Sequence, residues 1–138
     1  MRVTIRLGAL GVLATVLLMS VPSAGAGPVT YVTKDCIHVG IEPHSIVFAC
    51  ADGNFYANHL QWGFWGVRHA RGHGVFHQND CNPSCAQGHF RERRGKIRLR
   101  YRRWCPKIHK YVFRHATVRF RRPLLGRSEE SFALYCPI

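Results

Sequence analysis

Acidic residues are scarce: seven Asp and Glu stand against 20 Lys and Arg in 138 residues, a formal net charge of +13. An acidic solvating tail is therefore excluded, and the partners that such a charge attracts are anions. Past residue 21 no long apolar run occurs, and a bilayer-spanning helix needs about 20 apolar residues. Helical periodicity of useful length is missing after the N-terminal segment, as are internal repeats and low-complexity tracts. Common catalytic motifs are missing too: there is no G-x-S-x-G, no H-E-x-x-H, no phosphate loop and no suggestively placed pair of acids. This length predicts one domain and leaves no room for a large cofactor-dependent enzyme, so no cofactor is expected. With 46% hydrophobic and 12% aromatic residues the chain is not disordered.

What is present begins with an export signal. Arg2 and Arg6 form a positive start, and Leu7 to Val21 is an uncharged, mostly apolar run of 15 residues. Pro22 breaks the run, and Ala24-Gly25-Ala26 puts small residues at the A-x-A cleavage positions. Residues 1–26 are expected to be a removed signal peptide, and residues 27–138 a single domain, secreted or held at the cell envelope. The apolar run is too short for a membrane anchor, and no transmembrane segment is expected in the mature chain. The first cysteine, Cys36, is far from the cut, which argues against a lipid anchor. The mature chain keeps 18 basic and seven acidic residues.

Six cysteines, Cys36, Cys50, Cys81, Cys85, Cys105 and Cys136, lie in the mature part. An even count in a small exported domain implies a disulfide framework, and six cysteines allow 15 pairings. Chain geometry favours Cys36 with Cys50 across a short loop, Cys81 with Cys85 around Pro83, and Cys105 with Cys136 to tie down the C-terminus. The rival is a zinc site. His69, His73, His77, Cys81, Cys85 and His89 recur every four residues. Gly72, Gly74, Pro83 and Gly88 exclude a helix there, but a loop could gather His77, Cys81, Cys85 and His89 as H-x3-C-x3-C-x3-H. An oxidising compartment favours disulfides over thiolate ligands, so no metal is expected.

The rest of the mature chain alternates like β-strand. Ser45 to Cys50, the turn Asp52-Gly53-Asn54 and Phe55 to Trp62 predict a hairpin. Gly63, Gly66, Gly72 and Gly74 predict bends before a strand near Val75-Phe76-His77, and residues 79–90 read as an irregular loop. In Lys96 to Trp104, Ile97, Leu99 and Tyr101 fall on one face and Lys96, Arg98, Arg100 and Arg102 on the other. In Tyr111 to Arg121, Ala116, Val118 and Phe120 oppose Thr117, Arg119 and Arg121. Ser131 to Cys136 is the last strand. The expected fold is all-β: a small disulfide-stapled β-sandwich or barrel-like domain.

The charge is concentrated. Residues 91–122 hold fourteen basic residues and one acid, Glu92, while the rest of the mature chain has more acids than bases. Two cationic strand faces side by side would make a positive plate carried by Arg98, Arg100, Arg102, Arg119 and Arg121. Tyr101, Trp104, Tyr111 and Phe113 are interleaved as stacking or cation–π partners. Nucleic acid, an anionic polymer or the cell-envelope surface would suit it, with salt-sensitive binding. A plain solvated strand face is the alternative, although such faces usually mix signs. No helix-turn-helix, zinc-finger or RNP-like motif is present.

Two other functions remain open. A nuclease-like hydrolase would need two histidines as acid and base and a cation on the phosphorane; His77, His109, His115 and Lys107 are the candidates. A glycan-binding module would use Trp62 and Trp65, although aromatics in so small a domain are usually core. No catalytic residue is assigned.

The segments Ala49-Cys50-Ala51-Asp52-Gly53-Asn54, Trp62-Gly63-Phe64-Trp65 and Asn79-Asp80-Cys81-Asn82-Pro83-Ser84-Cys85-Ala86-Gln87-Gly88 resemble small secreted Cys-rich proteins of actinobacteria, of mycobacterial type, of unknown function. The resemblance covers mainly residues 45–90 and includes Cys50, Cys81 and Cys85. It implies no functional residue, and the basic segment lies outside it.

Overall fold

The computed structural model describes residues 27–137, so the leader read at residues 1–26 lies outside the described residues. Among the described residues eight strands form: β1 (Thr30–Thr33), β2 (Val39–Gly40), β3 (Ile46–Val47), β4 (Phe55–Trp65), β5 (Ala70–Asn79), β6 (Phe90–Cys105), β7 (Lys110–Leu124) and β8 (Arg127–Ala133). One 3-10 turn, Pro106–Ile108, joins β6 to β7. The strands build one sheet in the order β2-β1-β7-β6-β5-β4-β3, with β8 also pairing with β7. All pairings are antiparallel except β1 with β7, where Thr30 and Tyr31 lie beside Tyr111 and Val112. β8 takes the rest of the same β7 edge, from His115 to Leu124.

The sheet curls into a half-barrel, which decides between the sandwich and the barrel-like alternatives. Its two ends meet: the Val47 amide, beside β4, donates to the Lys34 carbonyl at 2.8 Å, just after β1. The Cys36–Cys50 disulfide ties the same two regions. The concave side holds the core. Phe48 and Phe55 approach Phe132 of β8 at 4.7 and 4.5 Å between ring centroids, and Phe76 meets Phe120 edge to face at 5.9 Å. Ile46, Leu60, Ile97, Leu99, Phe113 and Val118 are buried around them. A fully buried side chain of this size contributes roughly 1.5–3 kcal/mol.

The alternation in β6 and β7 holds where it was read: Ile97, Leu99, Ala116, Val118 and Phe120 face the core, while Lys96, Arg98, Arg100, Arg119 and Arg121 are exposed. It breaks at Tyr101. That residue has φ 58° and is 62% exposed, not inward. A left-handed residue turns the strand about its axis, so the regular two-residue alternation is lost from Tyr101 to Trp104.

The 45–65 hairpin forms with Ile46 opposite Ala57, although its first strand is two residues long. Gly72 and Gly74 lie inside β5 instead of bending the chain. A Cβ at Gly72 would come within 2.6 Å of the Gln61 carbonyl oxygen, and one at Gly74 within 2.8 Å of Leu60 Cδ2. These glycines let β4 press onto β5. β8 starts earlier than Ser131, after a two-residue turn in which Leu125 and Gly126 have φ 45° and 81°. Positive φ at both positions is the signature of a type I′ hairpin.

The three disulfides are Cys36–Cys50, Cys81–Cys85 and Cys105–Cys136, the pairing that chain geometry favoured. The bond between Cys81 and Cys85 removes both thiolates that the zinc alternative required. No helix among the described residues is long and apolar enough to cross a membrane.

Candidate anion-binding face

The register stacks basic side chains in rows across the outer face of the sheet. On β5 and β6, Arg71 lies opposite Arg98 and His73 opposite Lys96. On β6 and β7, Lys96 lies opposite Arg119, and Arg100 opposite His115. Residues two apart on one strand stand roughly 7 Å apart, and strands are about 4.8 Å apart. Arg71, Arg94, Lys96, Arg98, Arg100, Arg119 and Arg121 are all exposed. They therefore form a continuous positive plate over three strands.

Acids neutralise only its margins. Glu129 of β8 lies opposite Arg119 and accepts from its Nε and Nη2, both at 3.0 Å. Arg127 reaches Glu130 at 2.8 Å. At the loop end Arg91 Nε donates to Asp80 at 3.2 Å. Asp80 also accepts from the His89 amide at 2.9 Å and the Asn82 amide at 3.3 Å. The His89 amide, more than any other group, holds the Asp80 carboxyl below its ordinary range; the Asn82 amide and Arg91 add to this against desolvation. Arg71, Arg94, Lys96, Arg98, Arg100 and Arg121 form no ion pair among the described residues.

A groove crosses the plate, lined by His59, Gln61, His73, Arg94, Lys96 and Arg121, with the backbone of Gly74 and Gly95 between them. Gly74 and Gly95 are directly paired. His59 has φ 50° in the bulge between Asn58 and Gln61, which shifts the β4 register by one residue. Such a bulge re-aims side chains at the site where it occurs. Next to the groove, Arg93, Arg94, Arg121 and Arg122 surround a second cleft with no acid among its lining residues.

Four of the five arginines named from sequence, Arg98, Arg100, Arg119 and Arg121, are exposed on this face. Arg102 is not part of the open plate. It lies beyond Tyr101, is half-buried, and its guanidinium carbon sits 3.3 Å from the Tyr111 ring centroid. Its Nε and Nη2 are buried without a partner. Sequence reasoning missed Arg71, His73, His59 and Gln61, because β4 and β5 carry no charge run. Their place on the plate comes from pairing alone. Arg94 was missed because β6 begins six residues before the strand that was read.

The histidines named for a nuclease are not gathered. His77 lies opposite Glu92, and His115 opposite Arg100. Eight residues of β6 separate those positions, about 26 Å of strand. His77 is stacked on Tyr56 at 4.5 Å, with Nε2 3.1 Å from Asn58 Oδ1. His109 ends the 3-10 turn, which contains Lys107. Trp62 and Trp65 meet edge to face at 4.7 Å, and both pack against the core. Their indole N–H groups donate to the carbonyls of Pro43 and Thr30, each at 2.9 Å. Two perpendicular, half-buried rings do not make a flat platform for a sugar.

No protein-family model, curated protein or solved structure matches this chain.

Proposed function

We propose that this is a non-catalytic protein, secreted or held at the cell envelope, that binds an anionic polymer or surface through the outer face of its sheet. One observation carries this: like charges stand directly opposite each other within the plate, Arg71 against Arg98, and neither forms an ion pair among the described residues. Like charges in such positions destabilise a sheet. A face serving solubility alone would mix signs. The cost is offset when a polyanion neutralises several cations and releases its own counterions. Three disulfides support the exported part of the proposal, since they persist in oxidising compartments.

The test is retention on heparin and nucleic-acid resins across a salt series. Retention at low salt, with release as salt rises, is the expected result. The triple variant Arg98→Ala, Arg100→Ala, Arg121→Ala should elute much earlier. Elution of the unaltered protein together with a neutral control at low salt would overturn the proposal.

A further inference from the structure

Next to the groove, on the same outer face, stands an aromatic ring that the core does not use. Phe64 lies opposite Arg71, one row along from the Gln61–His73 pair that lines the groove. Its ring is 43% exposed, with His69 stacked at 4.7 Å and the Arg71 guanidinium 5.5 Å from its centroid. At the far end of the plate Tyr101, also exposed, follows Arg100 and meets His115 edge to face at 5.5 Å. Each exposed ring therefore has an arginine beside it, Arg71 or Arg100. On the side of Phe64 away from Tyr101, the groove offers Gln61, an exposed amide that can donate and accept, and three cations, Arg94, Lys96 and Arg121.

We infer that the polymer bound on this face is single-stranded nucleic acid, its backbone phosphate seated in the groove and a base stacked on Phe64; this rests on the anion-binding proposal above. Arg94, Lys96 and Arg121 along the groove meet the charge of a phosphodiester. His59 and His73 add ring N–H donors. A planar base has a π-face for Phe64 and a hydrogen-bonding edge for Gln61. Stacking on exposed aromatics beside a cationic groove is how proteins hold single strands without reading sequence. A lipid headgroup uses neither ring nor amide. A duplex hides the faces of its bases and so offers none to Phe64. A sulfated glycan would answer the cations but brings no π-face to stack on the exposed rings.

The experiment is fluorescence anisotropy with labelled oligothymidylate, competed by its duplex of equal length, by heparin and by phosphatidylglycerol vesicles, on the full mature chain. The expected order places the single strand ahead of all three at matched charge concentration. Phe64→Ala should weaken the single strand by about tenfold, and Phe64→Trp should restore it. Tyr135→Ala, an exposed ring outside this face, should change affinity by less than about twofold. Tighter binding of duplex, heparin or vesicles would overturn the nucleic-acid assignment while leaving polyanion binding intact. An unchanged affinity in Phe64→Ala would overturn the stacking role, and circular dichroism of that variant shows whether a loss reflects unfolding. Binding to none of the four at low salt would remove both proposals together.

Discussion

Arg98 of β6 lies directly opposite Arg71 of β5 on the outer face of the sheet, and neither forms an ion pair among the described residues. Two guanidiniums on neighbouring strands repel at close range, and the sheet tolerates this at the centre of its most cationic region. Stability and binding should therefore respond in opposite directions to one substitution.

Arg98→Glu converts the repulsive pair into an attractive one. A favourable cross-strand pair contributes roughly 0.2–1 kcal/mol, so the urea midpoint should rise slightly. Polyanion affinity should fall and lose part of its salt dependence, because one cation is replaced by an anion. Chemical denaturation and a salt-series binding measurement on the same sample check both arms. A variant that gains stability and binds unchanged would exclude Arg98 from the interface.

Gly95→Ala should destabilise the sheet by roughly 1–3 kcal/mol. The added Cβ would stand 2.8 Å from the Arg119 carbonyl oxygen and 3.2 Å from the Phe76 ring. The carbonyl belongs to the β7 ladder and cannot move aside. Gly63→Ala is the contrast: its Cβ meets nothing within 4 Å, so it should be neutral or stabilise by up to about 1 kcal/mol. Urea unfolding of the two variants side by side tests the pair.

The disulfides should rank by the loop each closes. Sequence separations are 31 for Cys105–Cys136, 14 for Cys36–Cys50 and 4 for Cys81–Cys85. On chain entropy alone, removing each by paired Cys→Ala costs about 4, 3 and 2 kcal/mol respectively. Thermal unfolding of the three double variants gives the order. Equal losses, or a larger loss at Cys81–Cys85, would mean that the short loop does more than limit the unfolded chain.

Asp80 and Asp35 each organise a loop beside a disulfide, and both are held below the ordinary carboxylate value of 3.8. For Asp80 the foremost cause is the His89 amide. For Asp35 it is the His38 amide, which donates at 2.6 Å and brings the carboxyl to about 2. The folded values lie below the unfolded ones. Each contribution is therefore complete above the unfolded range and is lost as pH falls through the folded value. In an acid titration followed by NMR, the His89 amide resonance should move with a midpoint below 3.8, and the His38 amide with a midpoint of about 2. Asp80→Asn should abolish the first transition and leave the second.

Much of this architecture could be read from local pattern. Ile97, Leu99, Ala116, Val118 and Phe120 alternate with charged residues at the period of a strand, and that alternation is enough to separate a core face from a basic face. Three disulfides followed from short loops and from the need to tie down a terminus. Leu125-Gly126 hid the start of β8, because leucine is an unusual occupant of a left-handed turn position. The flip at Tyr101 was hidden for the same reason: a positive φ at tyrosine has no compositional signal, and it moved Arg102 off the plate.

Composition and period thus settle that the chain is all-β, that its cations concentrate between residues 91 and 122, and which side of β6 and β7 meets the core. These are properties of near neighbours in the chain. The partners across the strands are another matter. Arg71 meets Arg98, His73 meets Lys96, and β1 reaches β7 at a separation of 81 residues between Thr30 and Tyr111. Register is chosen by the whole core at once, since a slip of one residue would turn every buried side chain outward. That choice alone carries Arg71, His73, Gln61 and Phe64 onto the basic face and turns a charged segment into a groove.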